Sequence, residues 1–206
     1  MRKRPAPGRT RVNNPDAMRA RILDAAAELF QLRGYHATSM HDIVHKAKIT
    51  AGALHHHFRT KKDIGLAVIR ERVASAVKQT WIDPVQSAET TTDGILTAFD
   101  QIAASLAKRK RVLGCPLNNL AIELSLVDSD FREAVQEIYG AWRDSIAARL
   151  NADFEQIDAE AAATFVVASY SGAIALAKAE QDPSPLRACA QQLASTMRQW
   201  PGRSRR

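Results

Sequence analysis

The stretch from Thr38 to Phe58, Thr-Ser-Met-His-Asp-Ile-Val-His-Lys-Ala-Lys-Ile-Thr-Ala-Gly-Ala-Leu-His-His-His-Phe, leaves few folds open to this chain. Two short amphipathic segments flank a turn at Ala47-Lys48-Ile49. Met40, Ile43, Val44 and Ala47 recur at helical spacing in the first, and Ala53, Leu54, His57 and Phe58 in the second. Each segment opens on a threonine, Thr38 or Thr50, whose hydroxyl can accept from an unpaired N–H of the first helical turn. Helices this short are not stable alone. They must pack on one another and on a third helix, as in a helix-turn-helix.

The third helix starts at Asn14-Pro15, a cap followed by proline in the first turn, and stops at Gly34. Ile22, Ala25, Ala26, Leu29 and Phe30 form its apolar stripe, and Tyr35 closes the small core. A fourth helix runs from Lys61 to Ile82, ~33 Å long at ~1.5 Å per residue, and ends before Asp83-Pro84. In a helix-turn-helix the second short helix can lie in a DNA major groove. Charge agrees with that use. The chain carries 29 Lys+Arg and 22 Asp+Glu, of which 13 and 4 fall in residues 1–62, so the net charge of +7 arises in the N-terminal third.

The run Arg21–Phe30, with Gly34-Tyr35, Thr38-Ser39, Asp42-Ile43, Gly52-Ala53-Leu54, His57-Phe58 and Lys61, resembles the N-terminal domain of TetR-family transcriptional regulators over residues 19–64. Two positions depart from the family pattern. Lys48 stands where a turn glycine is usual, and a left-handed non-glycine residue costs about 1 kcal/mol. His55 stands where tyrosine is usual. The resemblance implies double-stranded DNA as partner, read as a palindromic operator by a homodimer. Candidate DNA-binding residues are Thr38, Ser39, Met40, Thr50, Ala51, Gly52, Ala53, His55, His56 and Lys61. The hydroxyls and first-turn amides suit phosphates, while Gly52 and Ala53 let the backbone approach the groove wall.

The remaining chain reads as all-α: a three-helix DNA-binding domain (15–60) precedes a larger helical effector-binding and dimerisation domain (61–200). Hydrophobic content of 46% suffices for a packed core, and no segment alternates at period two. A basic arm, 1–14, either reaches a minor groove or serves as a solubilising tail, and 201–206 is a basic tail. There is no run of 18 consecutive apolar residues and no secretory leader, so a cytoplasmic, non-membrane location is expected. The cysteines, Cys115 and Cys189, form no disulfide framework or metal pattern. His55-His56-His57 is no metal site either, since adjacent helical residues point ~100° apart. No cofactor is expected.

Further helices are expected after a loop through Thr90-Thr91-Thr92 up to the basic cluster Lys108–Arg111, from Leu117 to Leu126, and from an Asp128 or Ser129 cap to about Leu150. In the first of the last two helices, 158–178 and 184–200, Ala161, Ala162, Phe165, Val166, Ala168, Ser169, Ser171, Gly172, Ala173, Ala175 and Leu176 cover more than one face. The resemblance implies that the two helices pair across a two-fold axis as the dimer interface, the alternative being that they only finish the protomer's own core. The segment Gly114-Cys115-x-x-x-Asn119-Leu120-Ala121-x-Glu123 resembles one branch of TetR-like regulators and is the candidate for sensing an unidentified small molecule. Phe99, Cys115, Asn119, Ile122, Glu123, Tyr139, Trp142, Phe165 and Tyr170 are the candidate pocket residues. Other readings of individual residues stay open: Asn118 or Asn119 could satisfy a backbone break at Pro116, Glu123 could face solvent, and Cys115 could be a redox thiol or a small buried hydrophobe. The reading as a ligand-released repressor has two rivals, a sequence-nonspecific architectural DNA-binding protein and a small helical enzyme. No glycine-rich phosphate loop or Ser/His/Asp pattern supports the latter.

Overall fold

The structure is a computed structural model that describes residues 14–109 and 111–203. Residues 1–13 of the basic arm and 204–206 of the tail lie outside this range. The regular secondary structure of the described residues is helical, apart from an isolated antiparallel bridge between Phe154 and Gly202.

Helix α1, Pro15–Arg33, begins where the Asn14 side chain accepts the N–H groups of Asp16 and Ala17, and its Ile22–Phe30 stripe is buried as its periodicity predicts. Helix α2 is Met40–Ala47 and α3 is Ala51–His57. Thr50 caps α3 as expected, but Thr38 does not cap α2. That cap is Ser39, which accepts from the Asp42 N–H while the Asp42 carboxylate accepts from the Ser39 N–H in return. The Thr38 hydroxyl turns inward instead, donating to the Gly34 carbonyl at 2.8 Å, and Thr38 is only 1% exposed.

Residues 61–87 form one continuous helix, α4, which passes the expected stop at Pro84. Proline lacks the N–H that an α-turn needs. The preceding turn, Lys78–Ile82, widens to π geometry, with the Asp83 N–H bonded to the Lys78 carbonyl. A wide turn of that kind absorbs the break. A second π-helical stretch lies at Val68–Val73.

Five further helices follow: α5 (Thr91–Ala107), α6 (Pro116–Leu124), α7 (Ser129–Asp153), α8 (Ala159–Glu180) and α9 (Ser184–Met197). Two of them end earlier than the pattern suggests. Helix α6 stops at Leu124, and α9 stops at Met197, so that Trp200 leaves the helix and packs edge-on against Phe154. Gly94 of α5 is a point of close approach, where an added Cβ would lie 2.7 Å from the Val85 Cα of α4. By length and composition α8 could cross a membrane, with a mean hydropathy of 1.4 across its most apolar window. Here its inner residues, among them Ala163, Val166, Tyr170 and Ile174, are buried in the protomer.

One hydrophobic core runs from Ile22 of α1 to Met197 of α9. Ion pairs reinforce the junctions: Arg19 with Glu71 and Arg72 with Asp24 join α1 to α4, and Lys62 joins α4 to Asp128 and Asp130 of α7 at 2.6 and 2.8 Å. The Lys62 hydrogen bond holds the Asp128 carboxyl below its usual range, helped by the Asp130 N–H that it caps. A lowered native value means the contribution is present above the ordinary carboxylate pKa of ~3.9 and fades as pH falls through the native value. Asp128→Asn keeps the helix cap but loses the ion pair. It should therefore lower the urea midpoint by a constant amount between about pH 5 and 8, with the difference from the parent shrinking as pH falls below the ordinary carboxylate pKa of ~3.9. Urea unfolding across this pH range is the check; a difference that persists in acid would show that the lost ion pair is not its cause.

Candidate functional site

Helix α3 docks on the core through Leu54 and Phe58 and leaves Thr50, Ala51, Gly52, His55 and His56 exposed, with Ala53 and His57 half-buried. The α2–α3 turn depends on Lys48, which holds φ 54 and ψ 51, the left-handed conformation anticipated for it. Arg21 of α1 closes that corner by donating to the Ala47 carbonyl at 2.6 Å and the Lys48 carbonyl at 3.3 Å. Met40 is half-buried, and Ser39 is exposed at the α2 N-terminus. From Ile43 to Lys62 the chain contains no Asp or Glu, so α3 and the turns on either side of it carry no acidic side chain.

Lys61 does not extend into solvent. Its ammonium donates to the carbonyls of Tyr35 and Thr38 at 3.2 and 3.1 Å and lies 4.4 Å from the centroid of the Tyr35 ring. The α1–α2 loop is thus held by α4 through its carbonyl groups. Its N–H groups are held from the other side. The Glu123 carboxylate of α6 accepts from Tyr35 at 2.9 Å and His36 at 2.6 Å. Gly34, at φ +89 and ψ 162, opens the loop directly beneath that carboxylate.

A cavity of about 310 Å³ lies among α4, α5, α6, α7 and α8. Trp81, Trp142 and Tyr170 form its aromatic wall, with Trp81 centred 4.9 Å from Trp142 and 4.8 Å from Tyr170. Burial drives the Tyr170 hydroxyl well above its ordinary pKa, so it is a neutral donor and acceptor. Of the candidate pocket residues, Cys115, Trp142 and Tyr170 line this cavity. Phe99 is fully buried behind the wall, stacked edge-on against Trp81.

The others are placed elsewhere. Tyr139, Asn119 and Ile122 border a separate outer cleft that meets the cavity at Gly114, Cys115 and Ile174. In that cleft Tyr139 donates to Asn118 at 2.7 Å, and burial pushes its phenol up to about 12. Asn119 accepts from Lys178 at 3.0 Å and donates to the Leu113 carbonyl at 2.9 Å. Ile122 is 83% exposed, and Phe165 faces outward from α8 at 50% exposed. Glu123 is engaged by the α1–α2 loop. Cys115 is buried at the α6 N-terminus, and burial raises its thiol pKa despite the neighbouring α6 amides. It sits in the wall as a small hydrophobe.

Several cavity residues escaped sequence reading. Val73, Val77 and Trp81 recur at i, i+4 and i+8, which could have marked them as one inward stripe of α4. Arg109 was hidden within a basic cluster at a helix end, and Gln31 gave no local signal. Gln31 donates to the carbonyls of Leu113 and Gly114, tying α1 to the segment that leads into α6.

Comparison with known proteins agrees with this architecture. Residues 22–68 match the family model for bacterial regulatory proteins of the tetR family, and residues 91–192 match the C-terminal domain model of LmrA/YxaF-like transcriptional regulators. The chain is 30% identical over 164 residues to an uncharacterized HTH-type transcriptional regulator in the lacX 3' region of Lactococcus lactis subsp. lactis, covering 79% of this chain and 84% of that one. It is 28% identical to the HTH-type transcriptional regulator LmrA of Bacillus subtilis, covering 82% and 90%. The crystal structure of a TetR transcriptional regulator from Chloroflexus aurantiacus superposes with a TM-score of 0.82 at 26% identity, covering 92% of this chain and 98% of that one.

Proposed function

The chain belongs to the TetR family of DNA-binding transcriptional regulators, and from that premise we propose that it is a cytoplasmic repressor whose hold on a palindromic operator is released by a small molecule. The observation that carries the reading is the exposed face of α3, which presents Thr50, Ala51, Gly52, His55 and His56 from a segment without acidic side chains. Ser39 flanks this face at the α2 N-terminus, where its N–H and hydroxyl are held by the Asp42 carboxylate. Met40, Ala53, His55 and His56 are the groove-facing candidates, whereas Lys61 orders the loop that carries α2 and adds a cation beside the backbone. Two such helices must stand one DNA turn apart, ~34 Å, which requires a homodimer. The outer face of α8, with Phe165, Ala168, Gly172, Ala175 and Leu176 exposed, supports pairing through α8 and α9.

The cavity is the effector site in this reading. A ligand there sits against α4 beside its two π-helical turns and against the start of α6. Wide turns are places where a helix can change register. Since α4 and α6 also hold the α1–α2 loop through Lys61 and Glu123, a relative shift between them would reach α2 and α3 directly. A coupling of ~1–3 kcal/mol would change operator affinity about 5–150-fold.

The test is binding to the DNA upstream of its own gene, against scrambled DNA at fixed near-physiological salt, followed by selection from random sequences. Protection of a two-fold symmetric site preferred about 1,000-fold or more is expected. His55→Ala and His56→Ala should change sequence preference, while Lys61→Met should weaken binding to all sequences alike. If selection enriches nothing, a sequence-nonspecific architectural role replaces this one.

A further inference from the structure

We propose that the cavity selects a flat aromatic carboxylate, with Arg109 as the residue that reads its charge; this rests on the cavity being the effector site. The body of the ligand follows from the walls. Trp81, Trp142 and Tyr170 present rings within 6 Å of one another, centroid to centroid, and Ile102 and Leu106 add aliphatic lining. Such surfaces favour a planar apolar group held by edge and face contacts. At about 310 Å³ the cavity lies at the small end of ligand pockets, room for a fused bicyclic ring and one substituent.

The substituent follows from the charge. Arg109 is the one charged side chain among the described residues lining the cavity, and no carboxylate faces it. An organic cation would find no counter-ion there. The other arginines at helix junctions are engaged: Arg19 by Glu71, Arg72 by Asp24, Arg21 and Arg149 by carbonyl groups. Arg109 is exposed at the rim, beyond the last turn of α5, and no acidic side chain among the described residues pairs with it. A guanidinium offers two parallel N–H groups to a carboxylate, a geometry that a lone hydroxyl or carbonyl cannot match. Gln101 and Ser105, from the same face of α5, border the cavity beside it and can orient the bound oxygen atoms.

The test compares 2-naphthoate with 2-naphthamide, nearly equal in size and shape and different in charge, by calorimetric titration of the full chain at neutral pH. Naphthoate should bind about 10-fold or more tightly than the amide, the contribution of a charge-assisted hydrogen bond at a partly solvated rim. Arg109→Gln should remove that preference and leave the affinity for naphthamide unchanged. Because Arg109 is exposed, the variant should retain its fold, and far-ultraviolet circular dichroism confirms it. Equal affinities in the parent, a naphthoate affinity indifferent to Arg109→Gln, or no binding of either probe at millimolar concentration would each overturn the proposal. Release of operator DNA is read separately. If naphthoate binds through Arg109 and the DNA is not released, the ligand class stands and the effector reading falls. If naphthamide binds equally well and releases the DNA, the effector reading stands and the charge assignment falls.

Discussion

Leu176→Glu is expected to leave the protomer folded, to abolish dimerisation, and to lower operator affinity about 100-fold or more. Leu176 is 53% exposed on α8, and Phe165 on the same helix is 50% exposed. Between them Ala168, Gly172 and Ala175 are exposed, and no charged residue occurs from Ala161 to Ala177. An added Cβ on Gly172 would meet nothing within 4 Å, so the protomer itself does not use the space this glycine keeps clear. An apolar band of this kind is costly to present to water unless a second surface covers it. At a two-fold interface every substitution enters twice, so two carboxylates would face each other in an apolar seam. Like charges juxtaposed in this way cost several kcal/mol. The protomer core does not need the Leu176 side chain, so helicity and the unfolding midpoint at low concentration should change little. Sedimentation gives the mass and an operator titration gives the affinity. A variant that remains dimeric would show that α8 is not the seam.

How far the chain could be read before its structure depended on the range of the interaction involved. Helix starts at Asn14, Thr50 and Asp158 were legible because a cap is a bond between neighbours. The three-helix core was legible for a similar reason, since apolar periodicity reports which face is buried. Errors arose where two local answers competed. Thr38 and Ser39 are both competent caps, and only tertiary packing decides that the threonine turns inward to Gly34. Pro84 is a strong stop signal, and the π-helical turn that carries α4 past it leaves no mark on composition. The pocket was legible only in part. Cys115, Trp142 and Tyr170 converge from three elements distant in sequence, and the same apolar spacing fits Phe99, which lies behind the wall, and Phe165, which faces outward. Glu123 illustrates the limit most directly: its partners Tyr35 and His36 lie 88 and 87 residues away, beyond any periodicity argument.

That same carboxylate supports the second large effect. Glu123→Ala should destabilise the protein by about 2 kcal/mol, the order expected for losing charge-assisted bonds to two backbone N–H groups, one of them partly buried. Glu123→Gln should cost about half as much, because its single amide oxygen can serve only one of the two donors well. Gly34→Ala probes the contact from the loop side. Its backbone lies in a region open essentially to glycine, and its new Cβ would come 3.1 Å from the Glu123 carboxylate, so a loss of about 1–3 kcal/mol is expected. The double variant should lose less than the sum of the two single losses, since removing the carboxylate frees room for the Cβ. Urea unfolding of the four proteins measures this cycle. The consequence for regulation is separable from stability. With Glu123 gone, α6 no longer grips the α1–α2 loop, while Lys61 of α4 still does. An effector that displaces α6 against α4 would then pull on one side of the loop only. In Glu123→Ala the ratio of operator affinities without and with effector should therefore shrink toward unity, even where folded protein is fully populated. An unchanged ratio in a destabilised variant would confine Glu123 to holding the loop and return the whole of the coupling to α4.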